Sequence, residues 1–295
     1  MAKRSLTRRG AGVKPSASRG GAPAPAARPR ADTRRAAAAR SGAADATRAD
    51  RASADAHARA ADARSRRIEG LDALRGIAIV AMVVYHFCFD LRYFGLTRWD
   101  FEHDWRWLTA RALILSSFLL IAGVSAVLGA RRRGVVHWLR HVGVIAGAAL
   151  LVTAGSYMMF PRSFIWFGVL HAIAVSLLLS RPLIDRPRLA VVIGVAVVVA
   201  GVTLAHPAFD NRLLGFIGFM THKPTTEDYV PLFPWTGVLL LGIAAGHALV
   251  RVGFAPLTPL RRMPAALRTL GRHSLLIYLV HQPVMIGALW LATRS

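Results

Sequence analysis

The chain has 295 residues, 54% of them hydrophobic, and a formal net charge of +23. Its apolar residues fall in runs close to the ~20 that cross a bilayer, which excludes a large soluble core as the main architecture. The charge alone would suggest nucleic acid, but 17 Lys/Arg against 5 Asp sit in the first 67 residues, and most of the rest lies in short loops between apolar runs.

Residues 1–67 are rich in Ala, Arg, Ser, Gly and Pro and almost free of large apolar side chains. Such a segment cannot bury enough surface to offset its ordering entropy. We expect a disordered, basic cytoplasmic tail over 1–67 and a transmembrane domain over 68–295. Arg8-Arg9 is followed by no apolar stretch, so no cleaved signal is expected. A basic tail is drawn to anionic lipid headgroups. No nucleic-acid partner is expected. The single cysteine, Cys88, excludes an intramolecular disulfide framework and a Cys-based zinc cluster, and reads as a small packing residue.

Apolar run length then predicts about seven spanning helices, near 71–92, 109–130, 138–158, 164–180, 188–205, 232–250 and 273–292. The expected fold is all-α, a polytopic helical bundle. Arg131, Arg132, Arg133 and Arg140 follow the second run, Arg181, Arg186 and Arg188 the fourth, and Arg251, Arg261, Arg262, Arg268 and Arg272 the sixth. In the alternate loops, 90–108 and 206–231, basic residues are matched by Asp and Glu. Every second loop is therefore basic, which predicts a cytoplasmic N-terminus and a C-terminus on the opposite side.

Against this apolar background the first run, LDALRGIAIVAMVVYHFCFDL, carries Asp72, Arg75, His86 and Asp90. Each ionisable group at a bilayer centre costs roughly 2.5–3.5 kcal/mol on insertion scales. Arg75 and His86 are eleven positions apart, about three turns, and share a face about 16 Å apart. His86 and Asp90 are i and i+4 on that face, where a carboxylate can fix the histidine tautomer. Asp72 and Arg75, at i and i+3, read equally well as an interfacial pair.

His171 in the fourth run and His281 in the seventh fall in the outer or middle part of the membrane, with Asp228 and Trp235 at the outer mouth of the sixth. Taken singly, each histidine reads as an interhelical hydrogen-bonding group. Together at compatible depth they point to a polar cavity. Arg111 reads as snorkelling to outer headgroups. Gly123, Ser125 and Gly129 read as small residues for close helix contact. His103, among acidic and aromatic neighbours in DFEHDWRW, reads as interfacial or as lining the mouth of a site. No local ligand spacing supports a metal, and none is expected.

The stretches LDALRGIAIVAMVVYHFCFDL, FLLIAGVS, FGVLHAIA, YVPLFPWTGVLLLGIAAG and LGRHSLLIYLVHQPV, in this order, resemble the bacterial DUF1624 proteins. Those are grouped with the catalytic domain of heparan-alpha-glucosaminide N-acetyltransferase. The likeness runs from about Arg67 to the end. The spacing of Arg75 and His86 is also similar to the Arg-x10-His pattern of membrane acyltransferase-3 proteins. The resemblance implies an inner-membrane enzyme that takes acetyl from cytosolic acetyl-CoA and gives it to an amino sugar or envelope glycan on the far side, with the C-terminus periplasmic or extracellular. It implies Arg75 as a holder of CoA phosphate and His86, helped by Asp90, as base or transient acetyl carrier. In the animal enzyme the proposed active histidine lies in the first luminal loop, and His103 stands at the matching place. The animal enzyme has more helices, which implies that part of its donor or acceptor site is either absent here or supplied by a second subunit of a homo-oligomer. Membrane lipids, the donor and the acceptor are the expected partners. Two other classes fit intramembrane His and Asp: a proton-coupled transporter, and a non-catalytic scaffold.

Overall fold

The computed structural model describes residues 54, 69–132 and 134–294; the tail expected over 1–67, Ala54 apart, lies outside them. Nine α-helices follow in chain order among the described residues 69–294: α1 (Glu69–Tyr93), α2 (Trp105–Arg132), α3 (Val135–Met159), α4 (Val169–Ser180), α5 (Pro187–Thr203), α6 (Arg212–Gly215), α7 (Leu232–Arg251), α8 (Ala265–Arg272) and α9 (Ser274–Ala292). No strand forms among those residues beyond one isolated parallel bridge, Phe167 with Tyr229. The chain is thus an all-α bundle of apolar helices, as its composition indicates.

Each of the seven apolar runs contains a helix. Five helices, α1, α2, α3, α7 and α9, are long and apolar enough to cross a membrane, while α4 and α5 are apolar but shorter. Local sequence sets the ends. α1 starts with Glu69 and Asp72 and ends with Arg92, which complements the helix dipole. Pro187 opens α5, where its missing N–H costs nothing. The run at 164–180 is helical only from Val169. Residues 163–167 are instead a turn and non-helical backbone bonded to the loop before α7, with Glu227 N–H donating to Ser163 O (2.9 Å) and Val230 N–H to Phe167 O (3.2 Å). The same loop is tied to the turn after α6 by Leu232 N–H to Phe216 O at 2.8 Å.

Glycines set the closest helix contacts. A Cβ on Gly123 of α2 would lie 2.2 Å from Leu239 O of α7, and one on Gly242 would lie 2.4 Å from Leu120 O. The α1–α8 contact is as close, since a Cβ on Gly271 would fall 1.8 Å from Asp72 O. Among apolar helices in lipid, such backbone approach supplies the packing that hydrophobic exclusion cannot. α7 lies against α2, α4 and α5, and the fully buried Leu119, Val127, Leu239 and Ile243 fill the seam. By contrast α3 and α9 expose Leu150, Met158, Leu276 and Val284 outward.

Candidate active site

A cavity of about 1460 Å³ lies between α1, α2, α3, α4 and α9. One end is lined by Arg75, Ser125, His137 and Arg272, the other by Glu102, His103, Lys223 and Asp228. His86, Asp90, Tyr278 and His281 line the wall between. Of the residues singled out in the sequence, Arg75, His86, Asp90, His103, Asp228 and His281 therefore share one cavity.

His86 places Nδ1 2.9 Å from the Met82 carbonyl one turn back. A carbonyl only accepts, so Nδ1 carries the proton, and the neutral ring keeps its lone pair on Nε2. His281 repeats the arrangement, with Nδ1 donating to Tyr278 O at 2.7 Å. Its buried Nε2 has no hydrogen-bond partner among the described residues. The two imidazoles meet edge to face, with centroids 5.0 Å apart. Two helices thus bring two imidazoles, each with Nδ1 spent on a backbone carbonyl, together on one wall.

Asp90 is buried beside the Gln282 side chain and makes no hydrogen bond with His86, whose Nδ1 is spent on Met82 O. The His86 tautomer is therefore set by the Met82 carbonyl, not by a carboxylate as the i, i+4 spacing suggests. Asp90 Oδ2 and Gln282 Oε1 have no partner among the described residues. At the other end, Arg75 donates to Asp72 Oδ1 (3.1 Å) and to Ser125 Oγ (2.6 Å). Asp72 is 4% exposed, and its second oxygen takes Nε–H of Arg272 at 3.1 Å. The Asp72–Arg75 pair is present, but its carboxylate is buried and shared with a second arginine.

His103 stands at the open end, its side chain 82% exposed and 3.1 Å from Asp100. The backbone N–H groups of Glu102 and His103 point at Asp100 and hold its carboxyl below the usual carboxylate range. Asp228 Oδ2 accepts Val169 N–H at 2.9 Å, at the start of α4. Burial pushes its carboxyl above the usual range, against the opposing charge of Arg111. Gly168 leaves the room, since a Cβ there would lie 2.5 Å from Asp228 Oδ2.

Two residues assigned to the cavity from sequence do not line it. His171 accepts Gly168 N–H on Nδ1 (3.3 Å) and meets Thr153 Oγ1 with Nε2 (3.2 Å), so it closes the first turn of α4. Trp235 packs against the helix core. Three others were missed. Arg111 turns inward, donates to Tyr229 O at 3.0 Å and lines the cavity, where headgroup snorkelling was expected. Arg272 read as loop charge. Gln282, beside His281 in HQPV, was a polar letter in an apolar run and the one available signal.

A family model described as heparan-alpha-glucosaminide N-acetyltransferase, catalytic, matches residues 67–283. The chain belongs to this family. The match begins just before α1 and ends in α9 after His281 and Gln282, so it takes in every residue that lines the cavity except Ile286. Family membership and the apolar helices together make this an integral membrane protein of an acetyltransferase family. No curated protein and no solved structure matches the chain.

Proposed function

We propose that the protein moves acetyl from cytosolic acetyl-CoA to an amino sugar or envelope glycan across a bacterial inner membrane. One observation carries the reading: a single cavity joins Arg75 to the His86–His281 pair through the apolar bundle. Arg75 holds donor phosphate. His86 Nε2 takes a proton from the acceptor amine or hydroxyl as that atom attacks the thioester carbonyl. The tetrahedral oxyanion collapses, the C–S bond breaks, and the CoA sulfur receives the proton from the imidazolium. Asp90, one turn from His86, faces the positive charge that develops there. Asp228 and His281 line the acceptor half, with His103 at its mouth.

The loop charges support the orientation, with the loops after α2, α4 and α7 on the cytoplasmic side, the basic tail 1–67 inside and the acyltransferase domain over 68–295. The test uses purified protein with acetyl-CoA and a panel of amino sugars. Positioned general bases contribute roughly 10²–10⁴-fold, so His86→Ala is expected to lower turnover by that factor and His103→Ala to leave most of it. Wild-type turnover in His86→Ala, or no binding of acetyl-CoA, would overturn the reading.

A further inference from the structure

We propose that Arg272 is a phosphate ligand, which with Arg75 forms a two-arginine clamp for the diphosphate of the donor nucleotide, held in place by Asp72. This rests on the acetyl-CoA reading above and adds a residue and a positioning device to it.

Asp72 is a single buried carboxylate that receives two guanidinium groups, one on each oxygen. Arg75 comes from α1 and Arg272 from the last turn of α8. Asp72 is buried, while the two guanidinium groups that it holds stay about a third exposed toward the cavity. Arg272 spends only Nε on Asp72, so its two terminal nitrogens make no hydrogen bond among the described residues. Arg272 also lines the cavity. Uncommitted guanidinium donors beside a cavity suit a phosphate oxygen, which they bind in a forked geometry.

The cavity is polarised to match. Its lining carboxylates, Asp90, Glu102, Glu227 and Asp228, all lie in the half beyond His86. The lining at the Arg75 end supplies Arg272, His137 and His141 instead. Arg111 and Lys223 offset part of that acidic charge in the outer half, whereas no carboxylate lines the Arg75 end. The spacing fits as well. Eleven residues of helix separate Arg75 from His86, about 16 Å, a span that an extended pantetheine arm covers between its diphosphate and its sulfur. The sequence builds the contact deliberately: Gly271 and Gly76 let the backbones of α8 and α1 touch, and a Cβ on Gly76 would lie 2.0 Å from Leu267 O.

The test compares acetyl-CoA with acetyl-pantetheine, which carries the same thioester and no phosphate, on the full chain in detergent. Charge-assisted hydrogen bonds contribute enough that Arg272→Gln should weaken acetyl-CoA binding roughly 10- to 100-fold. Binding and turnover of acetyl-pantetheine should not change. Arg272→Lys keeps the partner of Asp72 but loses the fork, and serves if Arg272→Gln does not fold. Its acetyl-CoA affinity should fall by less, with acetyl-pantetheine again unaffected. Equal affinity of wild type and both variants for acetyl-CoA overturns the clamp while leaving the acetyltransferase reading intact. So does equal loss for both donors, which would mark a structural role. A variant that binds acetyl-CoA normally but loses thermal stabilisation by phosphatidylglycerol vesicles would assign Arg272 to a lipid headgroup and overturn the donor clamp. Failure of the wild type to bind acetyl-CoA would overturn both.

Discussion

His171 accepts a hydrogen bond from Gly168 N–H on one nitrogen, so the other must donate to Thr153, whose own hydroxyl is spent on Ile165 O. Nothing on that ring is left for chemistry. Truncating it strands the Gly168 N–H, and an orphaned buried donor costs about 1–3 kcal/mol. His171→Ala is therefore expected to lower the melting temperature in detergent while the folded fraction keeps its specific activity; a loss of activity at unchanged melting would contradict this. His281 is the opposite case, with Nε2 buried and unspent. Asp228 gives a pH signature. Its folded carboxyl titrates above the ordinary 3.8 because burial disfavours the charged form. Between that ordinary value and the raised one the folded chain holds a proton that the unfolded chain has lost. Stability should then fall as pH rises through this window and level off above it. Asp228→Asn keeps an oxygen for Val169 N–H and cannot titrate, so its melting temperature should lack that decline. Parallel pH curves for the two proteins would refute the assignment.

At their closest points the helices meet through backbone, beside seams filled by buried side chains, and this fixes which glycines can change. At Gly123 and Gly242 the added Cβ would strike main-chain oxygen on the partner helix, which no rotamer relieves. Gly123→Ala and Gly242→Ala should each lower the melting temperature, overpacking costing typically 1–3 kcal/mol. A Cβ on Gly129 or Gly147 meets nothing within 4 Å, so alanine there should be neutral or slightly stabilising. If all four variants melt alike, the α2–α7 contact is not what holds the bundle. Run length located the long helices because crossing a bilayer demands it. It did not place the start of α4, since Ile165, Trp166 and Phe167 are as apolar as the helix that follows, and only the backbone bonds to the loop before α7 mark them as non-helical. Nor did it show α8, which is eight residues long and carries two arginines. The same division holds for the site. Arg75, His86 and Asp90 were legible as one face because helical period alone puts them together. Arg111, Arg272 and Gln282 depend on which helix lies opposite, and single-helix spacing holds no such information. Gly123 and Gly129 look identical in FLLIAGVSAVLG, yet only Gly123 has a partner.

For the molecule as a whole, the orientation follows from where the arginines gather and from whether the two short helices cross. α1, α2 and α3 have 25, 28 and 25 residues, roughly 38–42 Å of helix against about 30 Å of hydrocarbon, so each is long enough to cross with length to spare. Val169–Leu183 and Pro187–Thr203 span only about 22 and 26 Å. Their connection nevertheless carries Arg181, Arg186 and Arg188, the pattern of a cytoplasmic loop. A short helix can cross where the bilayer thins or long cations at its end snorkel. Labelling would decide it. With Cys88 replaced by alanine, single cysteines at Gly134, Asp185 and Thr225, all at exposed positions, report three loops. In spheroplasts an impermeant maleimide should reach Thr225→Cys and spare Gly134→Cys and Asp185→Cys, all three reacting once the membrane is opened. Labelling of Gly134→Cys from outside would invert the proposed orientation and put the Arg75 end of the cavity away from the proposed cytosolic donor. Labelling of Asp185→Cys alongside Thr225→Cys would keep the orientation but show that α4 and α5 enter and leave by the same face, closing the inner end of the cavity with fewer helices.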